Sequence, residues 1–425
     1  MAQVFHDVAC TVCGCVCDDL RITVDDGRIT RADGSCHLST EWFLGQGGRQ
    51  PAAAEIEGRP VALDLAIQHS AEILSQARYP LIYGLSRSST AGQRAAVRLA
   101  DKLGANVDTT ASLCHAPSIM AIQEVGESTC TLGEIRNRAD LVIFWRVDPV
   151  RSHPRHWERY SVQPAGMFCP LGSQSRTVVV VDERRTESGE LANLFIPVET
   201  GRDFEALWTL RCLVRGIRPE PSRSRGMSIE SLQDLALRMT SCRYGVLFFG
   251  VGLARMELGH RNVEALLRLT TDLNAHTRFH ARRMRVPGDV TGADNVLCWQ
   301  TGFPFSVNLS RGYPRYNPGE YSAHDILARG EADACLLVGS ESIPEMSARA
   351  VSHLGRIPTV ALDHPTVTSS IRPTVRFTTA VYGIHLPGTA YRMDDVPIPL
   401  RPVLESTYPS DADVLRRICD SVPLR

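Results

Sequence analysis

Lysine is almost absent from this chain of 425 residues: Lys102 is the only one, and arginine carries the remaining positive charge. Catalysis by a lysine amine is therefore not expected. There is also no run of about 18 apolar residues of the kind that crosses a bilayer. The first ten residues, MAQVFHDVAC, have neither the charged nor the apolar region of a secretory signal. These absences predict a soluble, cytoplasmic protein without membrane contact.

An excess of charge of one sign is missing as well. The formal net charge is -1 at pH 7, and the basic residues are spread along the chain without a polybasic tract. Nucleic acid and anionic lipid are therefore not expected as partners, whereas small molecules and other proteins are. The chain is longer than one hydrophobic core usually supports, which predicts two or three lobes.

The pattern of apolar residues predicts an α/β protein. From about residue 60, amphipathic stretches alternate with short apolar or β-branched runs, as in a parallel sheet covered by helices. The predicted helices are 63–78, 90–104, 203–216 and 262–276. The predicted strands are 81–85, 141–145, 177–182, 244–251, 334–339 and 359–363. Several of these strands end at Gly, Asp or Trp, where an open parallel sheet forms its ligand crevice.

One segment predicts a boundary between lobes. Residues 216–228, GIRPEPSRSRGMS, are rich in proline, serine and arginine, which is typical of a linker or an exposed loop. The predicted domains are an N-terminal cysteine-rich subdomain at 1–57, an α/β lobe at 58–215 and a second α/β lobe at 216–425.

Five of the 13 cysteines lie in the first 36 residues. In a reducing compartment such crowding favours metal ligation. CTVCGCVCDD followed by GSC gives the spacing Cys10-x2-Cys13-x3-Cys17-x18-Cys36. This spacing suits a [4Fe-4S] cluster, for which a glycine-containing loop presents three sulfurs and a returning segment the fourth. A structural zinc site and a remnant that binds nothing are the alternatives, and Cys15 is predicted to point away.

Five segments resemble, in order, the formate dehydrogenase-like, B-type subunit of formylmethanofuran dehydrogenase in the molybdopterin oxidoreductase family, and together they cover nearly the whole chain. They are the cysteine motif, TTASLCHAPS, FWRVDPVRSHPRHWERYS, VVVVDERRTESGELAN and MRVPGDVTGADNVLCWQTGFPFSVNLSRGYPRYNPGEY. Members of the molybdopterin oxidoreductase family bind molybdenum or tungsten between two molybdopterin guanine dinucleotides, and their N-terminal cysteines hold a [4Fe-4S] cluster. The resemblance implies a small iron-sulfur subdomain followed by doubly wound parallel-sheet lobes of the formate dehydrogenase-like type.

The resemblance implies three catalytic residues. Cys114 matches the position whose sulfur ligates tungsten or molybdenum, His115 is its neighbour, and Arg285 matches an active-site arginine. A thiolate suits a soft metal, a guanidinium can hold an oxygen of formate or carbon dioxide, and an imidazole can shuttle a proton. Without the family, Cys114 would be interpreted as a buried core cysteine and His115 as a satisfied histidine at the start of a helix.

Contacts to the pterin dinucleotides are implied at two strand ends. Ser152 and His153 follow the strand 141–145 in a turn whose amides and hydroxyls could meet phosphates. Asp182 ends the strand 177–182, where its carboxylate could accept hydrogen bonds from a guanine edge. The alternative is that these are ordinary polar residues at the rim of a sheet.

Three positions depart from the family pattern. Arg146, Asp148 and Glu183 stand where the family has glycine, a neutral amide and proline. Glycine lets the backbone approach a phosphate, and the two carboxylates repel phosphate unless arginines offset them. The departures predict a compromised pterin crevice, with either Asp148 or the phosphate as the partner of Arg146.

Two functions are compatible with these residues. In the first, formate and carbon dioxide interconvert at the metal held by Cys114, and a partner subunit joins formate to a methanofuran-type carrier. In the second, the chain is a redox-inactive scaffold in a bacterial formyltransferase/hydrolase complex that releases formate. The acidic substitutions and the arginine-rich composition favour the bacterial context, while the retained cysteines favour a real cluster. Both functions predict a hetero-oligomer in one-carbon metabolism.

Overall fold

A computed structural model of the chain describes residues 2–48, 50–219 and 226–423. The β-strands in chain order are β1 Gln3–Val8, β2 Leu20–Asp25, β3 Arg28–Asp33, β4 Ala54–Ile56, β5 Arg59–Pro60, β6 Pro80–Gly84, β7 Asn106–Thr109, β8 Leu141–Trp145, β9 Thr177–Asp182, β10 Leu194–Pro197, β11 Tyr244–Phe249, β12 Arg278–Arg283, β13 Val307–Asn308, β14 Arg315–Tyr316, β15 Ala334–Val338, β16 Thr359–Asp363, β17 Val375–Thr378, β18 Gly388–Tyr391 and β19 Pro397–Leu400. All six predicted strands are present, with ends that differ by at most two residues.

The α-helices in chain order are α1 His37–Leu44, α2 Leu63–Gln76, α3 Thr90–Leu103, α4 Ala111–Cys114, α5 Ala116–Val125, α6 Leu132–Arg138, α7 Pro149–Ser152, α8 Pro154–His156, α9 Glu187–Leu191, α10 Asp203–Val214, α11 Ile229–Ser241, α12 Val251–Ala254, α13 Gly259–Leu273, α14 Val290–Thr301, α15 Ala323–Arg329, α16 Ala348–Leu354 and α17 Asp411–Ser421. The four predicted helices are confirmed as α2, α3, α10 and α13, with ends shifted by at most three residues. Gly104 ends α3 in the left-handed conformation that glycine adopts without strain.

The described residues form two compact units, one within 1–113 and 287–425 and the other within 114–286. In the unit 114–286, five parallel strands are ordered β10-β9-β8-β11-β12. Strands β8 and β11 are buried along their whole length, as expected for a parallel sheet with both faces covered. The chain reverses its direction of winding between β8 and β11. Such a switch point places the ligand crevice outside the carboxyl ends of the strands.

The other unit contains a nine-stranded sheet, ordered β14-β13-β7-β6-β15-β16-β17-β4-β5. Its five middle strands, β7 to β17 in that order, are parallel, and the outer strands pair antiparallel. Alternate residues of β15 serve the two faces, because side chains alternate along a strand. Leu336 and Val338 pack with residues of α2, α3 and α17, while Cys335 and Leu337 pack with residues of α15 and α16. The predicted α/β class is confirmed.

The N-terminal residues form a small antiparallel sheet, β1-β2-β3, within the first of these units. The loop between β1 and β2 carries four of the N-terminal cysteines, and Cys36 precedes α1. Across the described ranges, none of the helices has the length and apolar character needed to cross a bilayer.

The compact units do not follow the predicted ranges 1–57, 58–215 and 216–425, because the unit 114–286 is inserted between two halves of the other. The predicted linker 216–228 lies partly outside the described residues. Its described parts follow α10 and precede α11, which both belong to the unit 114–286. Hydrophobic periodicity identifies elements but not their pairing partners, so the insertion leaves no local signal.

Candidate active site

Cys114 and His115 are consecutive residues at the junction of two helices, at the start of the unit 114–286. Cys114 ends α4, and His115 is the N-cap of α5. Both side chains are buried. Nδ1 of His115 lies 3.1 Å from Oγ of Ser118, and Nε2 lies 3.3 Å from the carbonyl oxygen of Met284. Since Met284 directly precedes Arg285, this contact brings the Cys114–His115 pair to the segment that carries the predicted arginine.

His115 is held in its neutral form. Burial, followed by the positive charges of Arg285 and Arg283, lowers its pKa well below the ordinary value. A neutral imidazole has one N–H, and the Met284 carbonyl can only accept. Nε2 therefore carries the hydrogen, and Nδ1 accepts from the hydroxyl of Ser118.

Arg285 follows β12 at the carboxyl edge of the sheet and is buried. Nε2 of His153 lies 2.8 Å from the carbonyl oxygen of Arg285, and Nδ1 lies 2.9 Å from Oγ of Ser152. Burial lowers the pKa of His153 to about 4. The sequence predicts His153 as a cofactor contact, but both of its ring nitrogens are engaged within the unit 114–286. His115 contacts the carbonyl of Met284, and His153 contacts that of Arg285. The two histidines therefore hold the carbonyls of two consecutive residues.

Arg146 follows β8 with a φ of 52°, a left-handed conformation that side chains rarely adopt. Its buried guanidinium donates to Asp203 through Nε and Nη2, both at 3.0 Å. Nη1 lies 3.4 Å from Asp182 and 3.5 Å from Glu183. Asp203 also accepts from Nε1 of Trp145 at 2.8 Å. The positive charge of Arg146 therefore offsets part of the negative charge of these carboxylates, which lie at the carboxyl edge of the five-stranded sheet.

The remaining predicted contacts of this edge are also connected internally. Asp148, considered as a partner of Arg146, instead accepts from the backbone amide of Ser188 at 3.2 Å and from its hydroxyl. Oγ of Ser152, which donates to Nδ1 of His153, also lies 2.8 Å from the carbonyl oxygen of Asp148. The side chain of Asp182 is 16% exposed, and burial raises its pKa. Of the three predicted dinucleotide contacts, Asp182 is the one with a partly exposed carboxylate at a strand end.

The N-terminal cysteine loop folds back on itself. The amide of Cys10 donates to the carbonyl of Cys17 at 2.7 Å, and the side chains of Cys10, Cys13 and Cys17 are buried. Burial, followed by the neighbouring Cys13 and Cys17 and less strongly by Cys36, raises the pKa of Cys10. The other three predicted ligands therefore lie within electrostatic range of Cys10.

The position of Cys15 differs from the prediction. It was predicted to point away from the other cysteines, but it is 1% exposed, and hydrogen bonds with Cys13 and Cys17, together with burial, raise its pKa. The prediction is wrong because the loop encloses all four of its cysteines; Val16 turns the backbone with a φ of 37°. Within the part of the chain that the structure describes, no group of three or more His, Cys, Asp or Glu is arranged to hold a metal ion.

A cluster of polar side chains lies at the carboxyl edge of the nine-stranded sheet. The sequence motifs identify none of these residues. Arg87, after β6, donates to the carbonyl of Thr11 at 2.9 Å and lies 3.3 Å from Glu341, after β15. These residues and His364, after β16, line a cavity of about 250 Å³. The arginine thereby ties the cysteine loop to the switch point between β6 and β15. The ends of the predicted strands were the available signal for these residues.

Solved structures with this fold include two from bacteria. The formyltransferase/hydrolase complex from Methylorubrum extorquens, solved with methylofuran, matches with a TM-score of 0.72 and 24% identity over 87% of this chain and 98% of that chain. Acetylene hydratase from Pelobacter acetylenicus matches with a TM-score of 0.70 and 12% identity over 98% of this chain and 69% of that chain. At such identities the likeness concerns the fold alone. It defines a mixed α/β protein with parallel sheets, of the architecture found in both of these proteins.

Sequence relatives define the family, although no protein-family model matches the chain. The B-type subunit of the tungsten-containing formylmethanofuran dehydrogenase 2 of Methanocaldococcus jannaschii is 38% identical over 413 residues, 95% of each chain. That of Methanococcus maripaludis is 36% identical over 429 residues, 99% of each chain. The chain belongs to this family of formylmethanofuran dehydrogenase subunits, and the resemblance found in its motifs is confirmed.

The bacterial relative is less similar. The B-type subunit of the formyltransferase/hydrolase complex of Methylorubrum extorquens is 27% identical over 298 residues, 69% of this chain and 76% of that protein. The preference for a bacterial context, based on acidic substitutions and arginine content, gains no support from this comparison. The scaffold function is not better supported than the oxidoreductase function.

Proposed function

We propose that the chain is the redox subunit of a formylmethanofuran dehydrogenase-type complex, in which formate and carbon dioxide interconvert and another subunit handles a methanofuran-type carrier. The observation that carries this proposal is the contact between His115 and the carbonyl of Met284, which joins the Cys114–His115 pair to the residue before Arg285. Identity of 38% over 95% of the chain with one subunit of a tungsten-containing formylmethanofuran dehydrogenase supports it.

The donor types match the cofactors that the family implies, although the described residues show no group of three or more arranged to hold a metal ion. Cys114, which is buried, would supply a soft thiolate for tungsten or molybdenum carried by molybdopterin guanine dinucleotide. The four predicted N-terminal cysteines would supply thiolates for a [4Fe-4S] cluster, and Asp182 is the proposed contact to the dinucleotide. When bound, the metal and cluster supply two-electron redox chemistry and electron relay. Ser152 and His153 are assigned to the support of Arg285, because their polar atoms are engaged there.

Arg285 then acts on the substrate. Oxidation of formate yields carbon dioxide, one proton and two electrons. The guanidinium of Arg285 binds a formate oxygen through its N–H donors. His115 positions this guanidinium, because its ring nitrogens are engaged by Ser118 and by the carbonyl of Met284, the residue before Arg285. In the reverse direction the same guanidinium holds an oxygen of carbon dioxide.

Metal analysis and a formate assay of the purified complex test this function. We expect bound tungsten or molybdenum, bound iron, and viologen-linked formate oxidation that Cys114→Ala abolishes. Cys298→Ala, which removes an exposed thiol of α14, is the matched control and should retain activity. A complex without tungsten and molybdenum that still releases formate from its formylated carrier would refute the redox assignment and support a scaffold.

A further inference from the structure

An exposed loop of the unit 114–286 presents apolar side chains to solvent. Within residues 163–171, here called the apolar loop, Met167 is 75% exposed, Leu171 67% and Phe168 38%. Single exposed apolar residues are common on proteins, whereas several gathered in one place mark interaction sites. The contacts at the base of the loop determine whether its backbone is rigid or loosely held.

Arg176 holds the base of the apolar loop. Its side chain is buried, and its guanidinium donates to four backbone carbonyls. The acceptors are Ala139 and Val162, each at 3.0 Å, and Pro164 and Arg136, each at 2.5 Å. A buried guanidinium used in this way cross-links three backbone segments, so it organises structure and is not exposed to a ligand.

Two glycines and a reciprocal pair of backbone hydrogen bonds tighten the same loop. A side chain at Gly166 would place its Cβ 2.1 Å from the carbonyl oxygen of Arg136, and one at Gly172, where φ is 58°, would lie 2.3 Å from that of Gln163. Gly166 and Cys169 exchange backbone hydrogen bonds at 3.0 and 3.1 Å. The loop is therefore preorganised, and a preorganised surface loses little conformational entropy on binding.

Two arginines flank the aromatic side chain of the loop. The guanidinium carbons of Arg138 and Arg243 lie 5.8 and 5.7 Å from the ring centre of Phe168. Arg243 is 67% exposed, and Asp140 lies 3.8 Å from it. The carboxylate of Asp140 is engaged by the backbone amides of Arg243 and Tyr244. A methionine and an aromatic ring edged by arginine match the composition of protein interfaces.

We propose that the apolar loop docks a different subunit of the complex, at a surface with an apolar recess edged by carboxylates. This inference rests on the proposed function in taking the chain as one subunit of such a complex. A second copy of the chain suits the loop less well. In a two-fold contact whose axis passes through the loop, Arg138 and Arg243 of the two copies would be brought together, and like charges opposed at an interface are unfavourable.

The test uses two variants and a matched control, each co-expressed with the other subunits. Met167→Asp combined with Leu171→Asp should weaken association at least about tenfold, because it places two charges at the centre of the proposed apolar contact. Arg138→Glu combined with Arg243→Glu should also weaken it and reduce its dependence on salt. Leu237→Asp, at a residue of α11 that is 66% exposed, should leave affinity within about twofold. Sedimentation of the assembled complex measures all three.

Melting temperatures of the isolated chains, expected to agree within about 3 °C, show that the variants fold. If the apolar double variant unfolds, the charge variant still decides the matter. Unchanged affinity in the charge variant and in any folded apolar variant overturns the docking surface. So does an isolated chain that is dimeric as the wild type and monomeric as the double variant, since a second copy is then the occupant. A wild-type chain that joins none of the subunits contradicts the proposed function itself.

Discussion

His153 and Arg285, 132 positions apart in the chain, are joined by a hydrogen bond of 2.8 Å from Nε2 to the carbonyl oxygen. Ser152 lies 2.9 Å from the other ring nitrogen. The backbone that carries the proposed formate-binding guanidinium is thus held by a buried neutral imidazole. This relationship assigns His153 a positioning role that can be separated from catalysis.

His153→Ala should raise the KM for formate about tenfold with a smaller change in kcat. The substitution leaves a buried carbonyl without its donor, which costs about 1–3 kcal/mol, and it loosens the segment that positions Arg285. His153→Gln keeps an amide N–H close to the place of Nε2 and should restore most of the affinity. Initial rates of formate oxidation over a range of formate concentrations measure both variants.

His353→Ala is the matched control. His353 also donates Nε2 to a backbone carbonyl, that of Ala332 at 2.7 Å, but it lies in the other compact unit. Its loss should lower the melting temperature without changing the KM for formate. Equal KM values in wild type, His153→Ala and His353→Ala would refute the positioning role. A wild-type complex that does not oxidise formate would instead count against the proposed function.

The stability of the chain should depend on pH through His153. Burial lowers the pKa of His153 to about 4 in the folded chain, against about 6.5 when unfolded. Its contribution is fully present above about pH 6.5. As the pH falls towards about 4, the unfolded chain binds a proton that the folded chain excludes, and up to about 3 kcal/mol is lost. The melting temperature of His153→Gln should therefore fall less than that of wild type between about pH 7 and about pH 4.5; parallel decreases would contradict this.

Arg146→Gln should destabilise the unit 114–286. It leaves the fully buried carboxylate of Asp203 without its two guanidinium bonds, and removing one partner of a buried ion pair costs about 3–5 kcal/mol. Calorimetry should show a melting temperature lower by about 10 °C. Combining it with Asp203→Asn should recover part of the loss. Arg184→Gln, at an exposed arginine of the same edge, should change little, and an equal loss there would argue against the network.

Iron content distinguishes the cysteines of the N-terminal loop. If Cys10, Cys13, Cys17 and Cys36 bind a [4Fe-4S] cluster, Cys17→Ala should lose most of about four irons per chain. Cys15→Ala should retain them, although Cys15 is buried against Cys13 and Cys17. Iron analysis of the purified variants measures this. Loss of iron in Cys15→Ala with full iron in Cys17→Ala would make Cys15 the ligand.

Local sequence patterns determined which segments become helices and strands. Residues 141–145 and 177–182 were predicted as strands and are β8 and β9 without any shift. Short, continuous apolar runs with β-branched residues are stable in the middle of a parallel sheet because both faces are covered. The family motifs likewise pointed to Cys114, His115 and Arg285, since such motifs preserve residue identity and order along the chain.

Only the tertiary structure decided how these segments combine. Strand β6 pairs with β15, placing Leu81 beside Cys335, and no local period records a pairing over such a separation. The predicted domain ranges differ from the compact units for this reason. The same holds for buried polar side chains: His153 binds the carbonyl of Arg285, and Arg146 binds Asp203. Burial requires a partner for each polar group, but which partner it meets depends on the packing of segments far apart in sequence.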